Sequence, residues 1–176
     1  MSDTTQLWAP WRAEYIKGEA PKIEGDALSL SKGCLFCHVS QAGAETHREN
    51  LVLTVRDFGF VMLNRYPYSG GHLMVSPLRH IASPEELSEA EYDGLFRLVR
   101  LALVTLKNEL RPHGVNVGMN LGAAAGAGIA AHLHVHLVPR WSNDANFMTS
   151  VAGVRVISEA LYASYDALLD KFRNLA

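Results

Sequence analysis

Cysteine is scarce in this chain: two residues in 176, too few for a disulfide framework, so the fold has to rest on an ordinary hydrophobic core. An excess of one charge is also missing. Sixteen Lys and Arg stand against eighteen Asp and Glu, a formal net charge of −2, so no bulk positive field exists to gather a nucleic-acid backbone or an anionic membrane. Neither partner is expected, and a phosphate-bearing ligand would need a local site. No apolar run approaches the roughly 20 residues that cross a bilayer, and the start, MSDTTQLWAPWRAEYI, lacks a charged segment followed by an apolar one. The cytoplasm is the expected compartment. With 48% hydrophobic and 19% charged residues, disorder and fibrous repeats are excluded, and the length suits one core. Histidine is what the chain has in surplus, eight against two cysteines.

The first thirty or so residues carry Trp8, Pro10 and Trp11 and show no sustained period, which predicts an extension (residues 1–33) that packs on a domain of residues 34–176. Leu51 to Val55 and Phe58 to Asn64 are β-branched and aromatic around a break at Asp57 and Gly59, a hairpin pattern. RYPYSGG is a turn cluster, and HLMVSP after it reads as a third strand ended by Pro77. Ser83, Pro84 and Glu86 have the form of a capping box with proline at the first helical position. Leu87, Leu95, Leu98, Val99, Ala102, Leu103, Leu106 and Leu110 follow at helical spacing, predicting an amphipathic helix about 40 Å long that ends at Arg111-Pro112. Gly114 to Leu121 and Leu133 to Val138 read as strands and Val154 to Phe172 as a last helix. Strands in succession, without alternating helices, predict an α+β fold with a five-stranded antiparallel sheet, one long helix and one C-terminal helix.

The segment HLHVHLVPRW places His132, His134 and His136 at every second position. On a strand the three imidazoles share a face, about 6.6 Å from one to the next. A water-facing strand would ordinarily carry Thr, Lys, Glu or Ser there, so three imidazoles imply chemistry. Two chemistries fit: metal ligation, and nucleophilic attack by a largely neutral imidazole at a phosphoryl centre.

HLHVHLV resembles the His-φ-His-φ-His-φ-φ signature of the histidine triad superfamily, nucleotidyl transferases and hydrolases acting at the α-phosphate of nucleotides. FVMLNRYPYSGGHLMVSPLRH resembles that family's nucleotide-binding strands, and RPHGVNVGMNLGAAAGAGIAAHLHVHLVPRWSNDANFM is similar to its bacterial diadenosine tetraphosphate phosphorylase branch. Together these cover roughly residues 34 to 150. The resemblance implies that His134 attacks the α-phosphorus and carries the nucleotidyl group, that His136 hydrogen-bonds the nucleophile or phosphate, and that His72 sits beside them. It further implies that Asn64 contacts the ribose or base and Asn120 a phosphate oxygen. A homodimer with paired sheets is expected on the same ground, and Mg2+ would accompany the nucleotide substrate. Within the enzyme class, phosphoramidate and adenylyl-sulfate substrates stay open, and a nucleotide-binding protein with negligible catalysis is the alternative.

GCLFCHV contains Cys34, Cys37 and His38, literally the C-x-x-C-H of c-type haem attachment. Haem is rejected because nothing directs export. A thioredoxin-like pair would open a helix within a βαβ context that this region lacks. Some triad proteins bind zinc through C-x-x-C, a histidine after the third strand and the first triad histidine, which implies Cys34, Cys37, His80 and His132 here, with His38 and His47 as competitors for one place. A closed Cys2His2 set would be structural. The stretch Gly122 to Ala131, GAAAGAGIAA, matches a loose dinucleotide pattern but leads into a strand, where that pattern needs a helix. It reads instead as a phosphate cradle, with Gly126 and Gly128 letting backbone N–H groups approach oxygens. Many triad relatives carry a hydroxyl residue in this loop; Ala127-Gly128-Ile129 has none, which leaves open whether phosphate or water is the acceptor.

Overall fold

The structure, a computed structural model, describes residues 33–142, 144 and 161–173. The expected N-terminal extension, including Trp8 and Trp11, lies outside the described residues, as does the WSNDANF segment beyond Ser142 except Asp144. Five strands, β1 (Val52–Arg56), β2 (Gly59–Leu63), β3 (Leu73–Pro77), β4 (Gly114–Gly118) and β5 (Val135–Arg140), form one antiparallel sheet in the order β1-β2-β3-β5-β4. Three α-helices accompany it among the described residues: α1 (Leu35–Gln41), α2 (Glu89–Leu110) and α3 (Leu161–Arg173). The α+β class and the strand count match the expectation; α1 was not anticipated.

Alternation along the strands divides the sheet into two unlike faces. The period of two sends Val61, Leu63, Leu73, Val75, Val135 and Leu137 to one side, where they meet Leu95, Leu98, Val99, Ala102 and Leu106 of α2 and Tyr165, Leu168 and Phe172 of α3 in the main core. Each fully buried Val, Leu or Phe among them contributes roughly 1.5–3 kcal/mol. The other face carries Val52, Phe60, Met62 and Met74, covered by Phe36 and Val39 of α1. This second, thinner cluster is the floor of the histidine site.

Two boundaries differ from the sequence expectation for identifiable reasons. Ser83-Pro84-Glu86 starts only a 3-10 turn, because Leu87 returns to an extended conformation (ψ 139°). A second capping box takes over: Ser88 Oγ accepts from the Glu91 N–H at 3.3 Å, and the Glu91 carboxylate accepts from the Ser88 N–H at 2.8 Å. The helix therefore begins at Glu89 and is about 33 Å long at about 1.5 Å per residue. It ends as expected at Arg111, which adopts the left-handed conformation (φ 45°). β4 stops at Gly118, short of Leu121, and α3 is described from Leu161, the expected start at Val154 lying outside the described residues.

The second boundary concerns the triad. β5 begins at Val135, so His132 and His134 precede the regular strand. The β3–β5 ladder pairs Leu73 with Leu137, Met74 with His136 and Val75 with Val135. Two steps further along β3 stands Pro77, which has no N–H to give, so the ladder cannot run through the first two histidines.

Candidate active site and metal centre

Each histidine ring is held by a partner that can act in only one direction, and that fixes where the protons are. The carbonyl of His132 accepts from His134 Nδ1 at 2.8 Å, so Nδ1 carries the proton and Nε2 of the neutral ring is a bare lone pair. The N–H of Tyr68 donates to His72 Nδ1 at 3.1 Å, leaving Nε2–H of His72 to donate to His136 Nδ1 at 3.0 Å. His136 in turn must carry its own proton on Nε2. The site thus presents a lone pair on His134 beside an N–H donor on His136, with ring centroids 4.8 Å apart and the rings edge to face. Tyr68 stacks on His72 (centroids 4.8 Å, 27° between planes) and steadies the outer end of this chain.

The electrostatics agree with the proton assignment. Burial pushes the His134 pKa below its ordinary value, only partly opposed by the hydrogen bond to the His132 carbonyl, so the ring is neutral at neutral pH. Phe36 is part of the cause. Its ring lies 4.9 Å from that of His134 and 5.3 Å from that of His132, and it is itself buried. Glycine matters at one point of this site: Gly71, with φ +71° and Leu110 where a Cβ would stand, makes the bend that delivers His72.

Asn64 lies beside the histidines. Its Nδ2 is 3.4 Å from His72 Nδ1, and its Oδ1 accepts from the Tyr66 N–H at 3.0 Å, so the amide supports the His72 end of the relay. Asn120 reaches the Gly126 carbonyl at 3.5 Å, within its own loop. That loop contains a 3-10 turn at Ala123–Ala125 between Gly122 (φ +80°) and Gly126 (φ +89°), and Gly126 and Gly128 are exposed. Ile129 anchors the loop by packing against the cluster of Phe36 and Met74.

The second constellation is compact. Cys34, Cys37, His80 and His132 each offer one ligand atom, and the four atoms lie within 4.8 Å of one another. Cys34 Sγ is 3.2 Å and Cys37 Sγ 3.5 Å from His132 Nδ1, and Cys37 Sγ is 3.3 Å from His80 Nδ1. Thiolate and imidazole ligands about 2.3 and 2.0–2.1 Å from a tetrahedral ion stand about 3.6 Å apart, close to these three S···N separations. The tautomer fits as well. His132 Nε2 donates to the Pro77 carbonyl at 3.0 Å, which leaves Nδ1, the atom facing the cysteines, as the lone-pair donor. Burial, and then Cys34 beside it, push the Cys37 thiol up, a cost that a bound cation reverses. His38 and His47 stand outside the cluster. Cys34 is the N-cap of α1, so the pair does open a helix, contrary to the expectation for this region, though without the βαβ context of a redox pair.

A family model described as HIT domain matches residues 45–143, more than half of the chain. The chain belongs to the histidine triad family. The AP-4-A phosphorylase of Mycobacterium tuberculosis is 42% identical to this triad protein over 156 residues, covering 89% of the chain and 78% of the relative. Among solved structures, a hypothetical histidine triad nucleotide-binding protein from Sulfolobus tokodaii aligns with a TM-score of 0.62 at 26% identity, over 81% of this chain and 93% of its own. A Zn-bound histidine triad family protein from Mycobacterium smegmatis aligns at 0.63 and 22% identity, over 81% and 95%, and shares the fold. The cysteine pair precedes the residues that the family model matches, so the metal constellation joins a segment outside the triad core to its first histidine.

Sequence reasoning had missed Phe36, Tyr68 and Pro77 as site residues. For Pro77 a signal existed, since a proline at the end of β3 cannot donate the ladder bond to Leu133, between the first two histidines. Phe36 lies inside C-x-x-C, a motif whose chemistry is carried by its sulfurs.

Proposed function

We propose that this histidine triad enzyme cleaves dinucleoside polyphosphates, diadenosine tetraphosphate foremost, at the α-phosphorus through a nucleotidyl-histidine. The observation that carries the reading is the 2.8 Å hydrogen bond from His134 Nδ1 to the His132 carbonyl, which leaves Nε2 as the attacking lone pair. The Nε2 lone pair forms the bond to phosphorus while the bond to the bridging oxygen breaks and the nucleoside polyphosphate departs with that electron pair. The positive charge that develops on the His134 ring is opposed by the carbonyl already accepting from Nδ1–H. His136 Nε2–H is a donor for a phosphate oxygen, aligned through His72. Phosphate or water then attacks phosphorus and returns the electron pair to Nε2, so two half-reactions and ping-pong kinetics follow. The 42% identical relative named AP-4-A phosphorylase supports phosphate as the acceptor; the hydroxyl-free Ala127-Gly128-Ile129 favours water as the second reading. Asn64 would meet the ribose or base, and Asn120, Gly126 and Gly128 the phosphates.

Incubation of diadenosine tetraphosphate with and without phosphate separates the acceptors. ADP plus ATP means phosphorolysis and AMP plus ATP means hydrolysis. The expected result is turnover by the wild type and none by His134→Ala; an inert wild type, or a fully active His134→Ala, refutes the reading.

Zinc would be held by Cys34, Cys37, His80 and His132, and a structural ion there would tie α1 to the segment bearing the nucleophile. That the Mycobacterium smegmatis neighbour is Zn-bound supports this choice of metal. The set contains no carboxylate, so Mg2+ would arrive with the polyphosphate. The enzyme would act as a homodimer through β4, an edge strand whose Val117 is about half exposed, as is Leu121 just beyond it. Light scattering on the purified chain reads that directly. No described helix is long and apolar enough to cross a membrane.

A further inference from the structure

Because the β3–β5 ladder ends at Val75 and Val135, the peptide units that carry His132 and His134 are held by other means. The Leu133 N–H donates to the Ile81 carbonyl at 2.6 Å. The Leu133 carbonyl accepts from Ser76 Oγ at 2.8 Å. Ser76 is fully buried, paired across the sheet with Phe60, and stands on the same face as Met74 and the histidines. The next step of the β3–β5 register would bring it opposite His134. A buried hydroxyl in an otherwise apolar strand must find an acceptor, and the nearest carbonyl would satisfy it. The acceptor it has found is the peptide unit that joins Leu133 to His134.

We propose that Ser76 is a positioning residue for the nucleophile: its hydroxyl fixes the Leu133–His134 peptide and so aims Nε2 of His134. The inference rests on the reading of His134 given above. Two anchors are needed because they restrain different motions. The His132 carbonyl fixes rotation of the His134 ring through Nδ1, whereas Ser76 fixes the backbone from which the ring springs, at the place where the regular ladder has failed. A displacement of about 1 Å at the attacking atom costs on the order of 100-fold in rate without altering what binds the nucleotide.

The test is a matched pair, Ser76→Thr and Ser76→Val, which share shape and differ in the hydroxyl, with Ser76→Ala as a third variant. Steady-state kinetics and rapid-quench first turnover on diadenosine tetraphosphate are read beside hydrogen exchange of the Leu133 and His134 amides. Relative to Ser76→Thr, the Val variant should lose about 10- to 100-fold in kcat and in first-turnover rate with KM within about twofold, and should exchange those two amides faster. Equal rates and equal exchange in Thr and Val overturn the proposal, as does a fall in kcat that is matched by a rise in KM and by global loss of exchange protection. Exchange needs no turnover, so an inert wild type would count against the proposed reaction while the two amides still decide whether Ser76 holds the peptide.

Discussion

On the proposed zinc site, removing the metal should cost this protein more than the small site suggests, because its four residues are distant in sequence. Cys34 and His132 are 98 residues apart and Cys37 and His80 are 43 apart, so one ion bound by the four would close two long loops at once. A cross-link closing a loop of about 100 residues removes about 4.7 kcal/mol of chain entropy from the unfolded state. For a domain of this size each kcal/mol moves the melting midpoint by about 2–4 °C, which gives a shift of about 10–20 °C. Calorimetry on protein purified without chelator, then stripped and reloaded with zinc, measures the shift, and metal analysis counts the ion. Cys34→Ser should reproduce much of the loss by removing one ligand. A content well under one equivalent per chain, or a midpoint that does not move when a full equivalent is stripped, would refute the reasoning. Since only Phe36 and Val39 of α1 are buried, stripping should also expose α1 to proteolysis ahead of the sheet.

Three further outcomes follow from contacts away from the metal. Tyr165 donates its hydroxyl to the buried Val52 carbonyl at 2.9 Å, docking α3 on β1, so Tyr165→Phe should cost about 1–3 kcal/mol in urea unfolding by leaving that carbonyl unpaired. Gly71→Ala should lose about 1–2 kcal/mol from the left-handed backbone alone and more where the new Cβ meets Leu110, with a loss of turnover because His72 follows directly. Glu91 is held at about 2 by its hydrogen bonds first to Arg79 and then to Ser88. Its contribution to stability is present above the ordinary carboxylate pKa near 4.5 and is lost as pH falls toward 2; Glu91→Gln should flatten this part of the acid limb in melting curves taken across that range.

Much of this architecture was legible because the patterns are local. Alternation gave the strands, the 3.6-residue spacing of Leu95, Leu98, Val99, Ala102 and Leu106 gave α2, and the triad spacing gave the face that His132, His134 and His136 share. What was not legible depends on long-range geometry or on competition between two valid signals. Ser83-Pro84-Glu86 and Ser88-Glu91 both satisfy the capping rule, and only the extended backbone at Leu87 decides between them. Arg79 adds to the decision by pairing with Glu91 at 2.8 Å, which locks the segment bearing His80 onto the start of α2. α1 was missed because seven residues carry too little periodicity, and because its stability comes from Phe36 meeting a sheet face that the local sequence does not contain. The gathering of Cys34, Cys37, His80 and His132 was readable only through family resemblance, since no spacing rule links residue 37 to residue 80.

The near-neutral composition finds its physical counterpart in how the site prepares for an anion. Polyphosphate carries several negative charges, and a site built on cations would bind product and substrate alike, which lowers KM without speeding the chemistry. In the candidate site the groups are imidazoles whose protons are assigned by backbone partners: the His132 carbonyl for His134, the Tyr68 N–H for His72 and, through it, His136. In the proposed reaction positive charge would appear on the His134 ring only as the bond to phosphorus forms, so the attraction between ring and phosphoryl oxygens would grow along the reaction coordinate. The proposed metal ligand and the proposed nucleophile are two residues apart. His132 offers Nδ1 toward the cysteines while its carbonyl holds Nδ1–H of His134, so one residue joins the structural constellation to the proton inventory of the reacting one. Replacing His132 should therefore damage catalysis twice, by loosening α1 and by shifting the carbonyl that keeps Nε2 of His134 unprotonated. Replacing His80, which shares only the first of these roles, should lower the melting midpoint by a similar amount and leave a larger share of kcat at temperatures where both variants remain folded. Equal residual kcat in His80→Ala and His132→Ala would show that the carbonyl link carries nothing.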